Sequence, residues 1–512
     1  MGHFLILQQV KIPFIMKKII PVLILLFSCF SVAKAQEVEV ESAIRNSQNI
    51  YEGSARFMSM GGAFTALGAD LSSLSLNPAG VGVYTGFQLE FTPSFRYQQT
   101  NTSTRGFQND IYTNEEFKYN LNLNNIGLVG AYNLNSPGWK NINFGLGYNT
   151  MNNHSKNVRT ENFNMVNSKM HEFVGNANSG TYRSAYEDLA WQTYLLNYDS
   201  TFAEYWSYVT DEMNYSDTSA SLQEIGVNQN KNLSNEGSLG EYFLSVGANY
   251  ENKLYLGMSV GIQRSNYSYD ATYTESERND QVPDFNSMNF IQYEDHSGTG
   301  YNFKIGAIYR PTDFIRLGAA FHSPTYFNNM TYTWYNSVRA RYDNGDDLQA
   351  SSQQSDFSYK LTTPSKILGG VAVRIKDMGL ISADYERVDY SRARLGEKEG
   401  DVPFDYENDS ISNTFGAANN LRLGGEVKFD NFYVRLGYAF YQSPYNENYS
   451  DYQTDRQQYS AGLGFRGSSF FIDAAFVTSS YTRERELFTT IPNLSEIDFT
   501  NNKFVVSLGL RF

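Results

Sequence analysis

The C-terminal segment restricts the fold more than any other part of the chain: Phe504, Val506, Leu508, Leu510 and Phe512 alternate with Lys503, Val505, Ser507, Gly509 and Arg511. Period two marks a β-strand with one apolar face and one small or polar face. The pattern returns at Leu421, Leu423, Gly425, Val427 and Phe429, at Phe432, Val434, Leu436, Tyr438 and Phe440, and at Leu254, Leu256, Met258, Val260 and Ile262. Shorter runs repeat it at Phe303, Ile305 and Ala307, at Ile315, Leu317 and Ala319, and at Phe470, Ile472 and Ala474.

Half-buried alternating strands build either a soluble sandwich or a transmembrane barrel, and the connections choose between them. Strands are predicted at 86–98, 119–133, 141–153, 239–251, 253–269, 298–311, 313–340, 354–376, 378–391, 418–429, 431–443, 455–466, 468–481 and 502–512. Short links such as Glu251-Asn252-Lys253, Pro311-Thr312-Asp313, Phe429-Asp430-Asn431 and Arg466-Gly467-Ser468 alternate with long polar ones. Outer-membrane barrels combine short periplasmic turns, long extracellular loops and an even strand number. The expectation is an all-β protein, a 14-stranded antiparallel transmembrane β-barrel over residues 86–512. Lipid would enforce the register. A slip of one residue at Leu421 turns Arg422, Glu426 and Lys428 outward, and each Arg or Lys costs about 2–4 kcal/mol near the bilayer midplane. The opposite face collects a polar lumen: Lys304, Arg316, Arg374, Asp384, Arg422, Glu426, Arg435, Arg466, Asp473 and Arg511. Ending on an aromatic after such a strand resembles the signal read by bacterial barrel-assembly machinery, and surplus Tyr and Phe near strand ends would form interfacial girdles.

Composition excludes other classes. Charged residues are 18% and aromatics 15% of the chain, with 39 Tyr and 36 Phe. A helical membrane protein needs several apolar runs of about 20 residues, and a disordered chain is poor in aromatics. The net charge of −14 provides no basic field for nucleic acid. The one long apolar run lies at the start: Lys17 and Lys18 precede an apolar stretch from Ile19 to Phe27, and Ala33-Lys34-Ala35 precedes Gln36. That order fits a secretory signal peptide over residues 1–35, cleaved after Ala35, with Met16 as the true start. Cys29 is the single cysteine. As the lipidated residue of a lipoprotein it competes poorly, because Phe27 is bulky where small residues are wanted. With Cys29 in the leader, the mature chain holds neither disulfides nor thiolate metal sites.

Two segments do not fit the wall. Residues 154–238 form an insertion in an extracellular loop, and from Tyr182 to Val209 its Leu189, Tyr194, Leu195 and Tyr198 have loosely helical spacing. Residues 36–85 are dominated by small residues: Phe57, Met60, Phe64 and Leu67 have helical spacing around Gly61-Gly62, and Asn77-Pro78-Ala79-Gly80 stops any helix. A barrel of this strand number leaves a lumen too wide for its own side chains to fill, and a compact small-residue segment can occupy it. Asn77 can form an Asx turn and Pro78 fixes φ, so the turn would be rigid, either as a latch or as a plain structural turn.

The run from Ser54 to Ala66, Ser-Ala-Arg-Phe-Met-Ser-Met-Gly-Gly-Ala-Phe-Thr-Ala, then Gly68-Ala69-Asp70 and Asn77-Pro78-Ala79-Gly80, resembles the hatch of the FadL/TodX family of outer-membrane transporters. That family pairs a Gly/Ala-rich helix and an Asn-Pro-Ala turn with a fourteen-stranded barrel. The likeness covers the mature chain in layout and the hatch in motif. It implies an N-terminal plug, capture of a hydrophobic ligand at the extracellular loops, and passage through the lumen and a lateral opening in the wall. Long-chain fatty acids and aromatic hydrocarbons are the family's substrates. Gly61, Gly62, Asn77, Pro78 and Ala79 become the gating residues of the hatch. The large insertion in the second extracellular loop departs from the family and bears on its outer capture groove.

A fatty acid presents one carboxylate and a long tail, so its receptor needs a buried cation or amide beside an apolar channel. Inward Arg316, Arg374, Arg422 and Arg435 are candidates, and Phe471 could line the channel or touch the plug. For each arginine a structural pairing with Asp384, Glu426 or Asp473 is the stronger reading. Gly257-Met258-Ser259-Val260-Gly261 matches the serine-hydrolase elbow but lies mid-strand, where no sharp turn exposes the serine. His154, His171, His296 and His322 lack metal spacing, and Asp343 with Asp346-Asp347 reads as a solvated loop before it reads as a calcium site. The sequence therefore points to transport of hydrophobic compounds, most simply long-chain fatty acids, without enzymatic chemistry or a cofactor. Its partners would be a hydrophobic ligand, outer-membrane lipid and the assembly machinery, with no nucleic acid. The rival reading is an adhesion protein acting through its large loops.

Overall fold

The computed structural model describes residues 40–512 apart from 106–109, 135, 166, 211–225, 278–281, 283, 399–402 and 487–493. The leader at 1–35, with Met16 and Cys29, lies outside the described residues. Described chain begins with the hatch: helix α1 Val40–Ser47, helix α2 Ala55–Ser59 and the 3-10 turns Ser72–Ser75 and Pro78–Val83. The helix predicted through Phe64 and Leu67 is cut short at Ser59. Gly61 and Gly62 take φ of +62° and +76°, a left-handed conformation that glycine adopts without penalty and that ends the helix.

The alternating segments form the wall. Strands β1 Gln88–Arg105 and β2 Ile111–Asn133 precede β3, which runs Trp139–Asn153 and continues as Lys156–Met165. Next come β4 Val227–Tyr250, β5 Leu254–Glu277 and β6 Phe285–Tyr309. β7 comprises Ile315–His322 and Tyr326–Tyr342; β8 comprises Asp347–Ser351, Ser355–Thr362 and Lys366–Ile375; β9 comprises Gly379–Asp389 and Arg394–Glu397. β10 Ala417–Phe429, β11 Phe432–Tyr441, β12 Arg456–Arg466, β13 Phe470–Glu486 and β14 Leu494–Arg511 complete the set. Sequence neighbours pair antiparallel, and β1 pairs with β14 from Gln88↔Arg511 to Thr104↔Ser495, closing a fourteen-stranded barrel. The faces separate as lipid and lumen would demand: Leu421 and Leu436 are 48% and 64% exposed, whereas Arg422 and Arg435 beside them are buried.

Strands extend well past their predicted limits on the side away from the short turns. β6 has 25 residues and β4 has 24, against about 9–11 needed to cross hydrocarbon. The span 154–238 is accordingly not one free loop. Its ends pair from Lys156↔Asn235 to Met165↔Val227, so the insertion proper is 166–226.

The described part of that insertion, 167–210, folds as a cap on the projecting strands. Helix α3 Lys169–Asn178 and helix α4 Glu187–Gln192 supply Met170, Phe173 and Leu189 to a core with Tyr273, Phe285, Phe290 and Val338. Ser168 caps α3, accepting from Met170 N at 3.0 Å and donating to Glu275 at 2.5 Å. Burial would push the Glu187 carboxyl up, but hydrogen bonds from Arg183 and Asn176 hold it below the ordinary glutamate value. The helical spacing predicted through Tyr198 fails because Tyr194 takes φ of +58°; beyond it Asn197–Asp199 pairs with Glu204–Trp206 as a hairpin. Truncating Phe173 to alanine is expected to destabilise the cap by about 3–5 kcal/mol. Faster proteolysis of 167–210 with an intact barrel is the expected readout, and unchanged resistance would contradict it.

Candidate functional site

The hatch sits in the lumen on a ring of wall glycines. A Cβ at Gly306 of β6 would overlap Asn77 Oδ1, at Gly318 of β7 the Thr65 carbonyl, at Gly257 of β5 the Pro78 carbonyl, and at Gly437 of β11 the Gly61 amide. Gly424 of β10 and Gly462 of β12 face Met60 and Ser59 in the same way, and Gly145 of β3 receives Leu74. At Gly257, Gly318, Gly424 and Gly437 backbone therefore packs on backbone, and at Gly306, Gly462 and Gly145 a hatch side chain fills the space. Leu71, Leu74, Val81 and Tyr84 add an apolar contact with Val129 and Phe243 of the wall.

Polar ties hold this seat in register. Asn77 Oδ1 accepts from Ala79 N at 3.1 Å, an Asx turn, while its Nδ2 donates to Thr65 O at 2.7 Å and to Ala307 O of β6 at 3.2 Å. Thr65 N donates to Asp384 of β9 at 2.8 Å, His322 Nε2 bonds the Leu76 carbonyl at 2.7 Å, and Ala55 N donates to Ser507 of β14 at 2.7 Å. Arg56 reaches Glu426 at 3.0 Å; Glu426 meets Arg435 at 2.6 Å, and Arg435 meets Asp473 at 2.7 Å. Each charge in this buried chain has an opposite neighbour, as burial requires.

One seam of the wall is not laddered along its whole length. β2 pairs with β3 from Asn133↔Asn141 only as far as Asn125↔Asn149, although β2 continues on β1 to Arg105↔Ile111 and β3 continues on β4 to Met165↔Val227. Bulges mark the end of the pairing: the β1–β2 register shifts between Thr92 and Pro93, and the β3–β4 register shifts between Thr150 and Asn152. Side chains bridge what remains. Thr150 Oγ1 donates to Leu123 O at 2.8 Å, Asn153 Nδ2 to Asn122 Oδ1 at 3.0 Å, and Asn157 Nδ2 to Phe117 O at 3.2 Å. The last paired rung stands roughly 20 Å above the short-turn end, taking ~3.3 Å per residue along tilted strands. That is near the outer boundary of a ~25 Å apolar band. Outside the seam Leu121 and Tyr119 are 81% and 61% exposed. Behind it stands the hatch, with Glu52 N donating to Thr150 O at 3.1 Å and Gln48 O accepting from Asn152 at 3.0 Å.

The arginines singled out from the sequence have structural occupations. Arg422 is buried and paired with Glu386, Arg435 with Glu426 and Asp473, and Arg316 donates to the hatch carbonyl of Leu67 at 2.8 Å. Arg374 is no lumen residue: it lies exposed at the short-turn rim against Asp377, because β8 ends one residue later at Ile375. Phe471 is buried at the same rim between Arg466 and Arg511, whose guanidinium carbons lie 4.4 and 4.9 Å from its ring centre, and so lines no channel there. Gly61, Gly62, Asn77, Pro78 and Ala79 all fall in the hatch seat. Ser259 is fixed mid-strand, accepting from Ser245 at 2.9 Å and donating to Leu244 O at 3.2 Å. Asp347 is taken by Arg339 and Arg341, and among the described residues no group of three His, Cys, Asp or Glu side chains could hold a metal. The sequence reading missed Lys366, inward on β8 by the same parity as Arg374.

A closed fourteen-stranded barrel, apolar outside and stoppered from within, is an outer-membrane β-barrel protein. Residues 239–487 match the family described as outer membrane protein transport protein (OMPP1/FadL/TodX). A Pseudomonas aeruginosa FadL homologue has the same fold, with 14% identity and a TM-score of 0.54 over 91% of this chain and 99% of that one. The Pseudomonas putida toluene transporter TodX has it too, with 12% identity and a TM-score of 0.50 over 91% of this chain and 100% of that one. No curated protein matches the sequence.

Proposed function

We propose that the protein carries long-chain fatty acids, and hydrophobic compounds of similar shape, into the outer membrane by passive diffusion through the seam between β2 and β3. The observation that supports this most directly is the pairing that stops at Asn125↔Asn149 in a barrel whose axis is filled by the hatch. An axial route would have to dislodge a plug that packs against glycines of seven strands, by backbone on β5, β7, β10 and β11. A lateral route has to displace only side-chain bridges, each worth about 0.5–1.5 kcal/mol net, and the hatch segment 48–53 behind them. It delivers an apolar molecule straight to lipid beside Leu121 and Tyr119. The cap, standing over the projecting strands, is where capture from outside would begin.

Uptake of radiolabelled oleate by cells that make the protein, in a background lacking other fatty-acid importers, is the direct test. Saturable uptake above the vector control is expected, with toluene as a weaker competitor. Absence of oleate and toluene uptake with the barrel present in the outer membrane would sink the transport reading. One observation favours the adhesion reading: the cap exposes Trp191, Tyr194, Tyr198 and Phe202, a patch of the kind that partners cover. Deleting 167–226 separates the two, since a transporter keeps some oleate flux and an adhesin loses its whole activity.

A further inference from the structure

The wall carries a second break, away from the seam. Pro324 and Pro364 have no amide hydrogen, and they sit where β7 and β8 are interrupted at 323–325 and 363–365. On β9 the 3-10 turn Tyr390–Arg392 falls at the same level, so the pairing of β8 with β9 stops at Lys366↔Val388 and resumes at Thr362↔Arg394. Thr325 N donates to Thr363 Oγ1 at 2.9 Å and Thr363 N to Thr325 O at 3.0 Å, which keeps the wall closed there.

The outer surface changes character at this break. On its membrane side Ile367, Tyr385 and Leu421 are exposed, a face made for lipid chains. Arg387 follows Tyr385 on the same face and stands roughly 20 Å above Gly379, taking ~3.3 Å per residue along tilted strands, near the outer boundary of a ~25 Å apolar band. Beyond the break come Arg394 and Lys360. Tyr359, Leu361 and Leu395 beside them point inward and are buried, whereas all three cations are exposed. Arg394 opposes Thr362 and Lys360 opposes Gly396, so the two are diagonal neighbours, about 7–8 Å apart and within reach of long side chains. Gly396 has no side chain with which to cover the lysine; a Cβ built on it would lie 3.7 Å from that of Lys360.

These cations have no acids beside them. Arg387 donates to Asn419 Oδ1 at 3.2 Å, an atom that also accepts from the Tyr385 hydroxyl at 2.6 Å. Arg394 donates to the Ser391 and Ala393 carbonyls at 2.6 Å each. Asp389 is taken by Arg392 at 2.9 Å, and among the described residues no carboxylate oxygen lies within 4.0 Å of a side-chain nitrogen of Lys360, Arg387 or Arg394. In a chain with 54 acidic and 40 basic residues, three cations gathered on one face without a counter-charge call for a partner outside the chain. Arg264 of β5 is also exposed on the outer face but stands alone, its rung partners being Gly240 and Thr299.

We propose that this strip binds the phosphorylated headgroup of an outer-leaflet lipid, with Arg394 and Lys360 on the phosphate, Arg387 at the acyl boundary, and the chains along Ile367, Tyr385 and Leu421. Guanidinium and ammonium groups at headgroup depth give a phosphate charge-assisted donors, and the apolar face directly beneath them distinguishes a lipid from a free anion. An acidic protein segment would match the charge and leave the apolar face, which lies in the membrane, untouched. β8 and β9 stand across the barrel from β2 and β3, so a lipid held here leaves the seam uncovered. The inference holds whatever the barrel carries.

Titration of the refolded protein in dodecyl maltoside with fluorescent diphosphoryl lipid A, followed by anisotropy, tests it. The folded triple variant Lys360→Gln, Arg387→Gln, Arg394→Gln is expected to bind about tenfold more weakly or worse, while Arg264→Gln stays within about twofold of the unaltered protein. Dephosphorylated lipid A is expected to bind the unaltered protein at least about tenfold more weakly than the diphosphoryl form. Undiminished affinity in the triple variant, an equal loss on Arg264→Gln, or equal affinity for the two lipid forms overturns the proposal. Displacement of the lipid by inorganic phosphate in about tenfold excess would mark a site for the bare anion and overturns it too. Should the triple variant not fold, Arg394→Gln takes its place, with a loss of about threefold expected and an unchanged affinity overturning the assignment.

Discussion

Replacing Gly306 and Gly437 by leucine is expected to turn a sealed barrel into a leaking one. Each new side chain must enter space held by the hatch, at Asn77 and at the Gly61 amide. One obstacle is the Asn77 side chain, held in place by its hydrogen bonds to Ala79 N, Thr65 O and Ala307 O, and the other is backbone. Overpacking of this kind costs about 1–3 kcal/mol per site even where neighbours can yield, and the two sites press on the plug from different strands, β6 and β11. Planar-bilayer recordings should show no steady conductance for the unaltered protein and a persistent open level for the double variant. The same variant placed at Gly369, where a Cβ meets nothing within 4 Å, should stay closed. A double variant that neither conducts nor exposes its hatch to protease would show that the glycine ring does not seat the plug.

Cross-linking the seam should have the opposite effect, abolishing transport without opening the barrel. Asn122 and Asn153 already touch across it at 3.0 Å. With Cys29 as the single cysteine of the chain, cysteines introduced at 122 and 153 can be joined selectively by a short thiol-specific linker. Oleate uptake is expected to fall to the vector background, oleate binding to persist, and reductant to restore uptake when the linker is cleavable. Uptake that continues with the cross-link complete would rule out exit between β2 and β3.

How far the sequence reaches depends on what enforces each feature. Within the membrane, lipid on one side and a polar lumen on the other compel alternation, and the strands at Leu421, Phe432 and Phe504 are legible for that reason. Beyond the membrane nothing apolar faces the outer surface. The outer halves of β4 and β5, such as Asn228-Gln229-Asn230 and Tyr267-Ser268-Tyr269, lose the signal while keeping the ladder. The hatch was legible as a small-residue segment, but the turn at Gly61-Gly62 was taken for helix because apolar spacing does not report φ. The seam left a trace in the run Asn120-Leu121-Asn122-Leu123-Asn124-Asn125: asparagine is a poor strand former whose amide competes for backbone groups. Lys366 could have been found by parity, and Pro324 and Pro364 by their position inside predicted strands. The arginines drew attention instead, and their pairing with acids on other strands is a matter of register that alternation alone does not show.

The grip of β14 on the hatch also constrains the order in which the molecule can be assembled. Ala55 bonds Ser507 across 452 residues of chain, Glu52 pairs with Lys503 across 451, and Glu41 with Arg483 across 442. The segment made first is thus secured by the strands made last. Contacts so remote form late and slowly, because the intervening chain must be ordered before they are rewarded. Three of the seven seat glycines, on β5, β6 and β7, are in place once those hairpins have paired, so the plug has a partial cradle while it waits. Closure of β1 on β14 then completes the wall and locks the plug in one event.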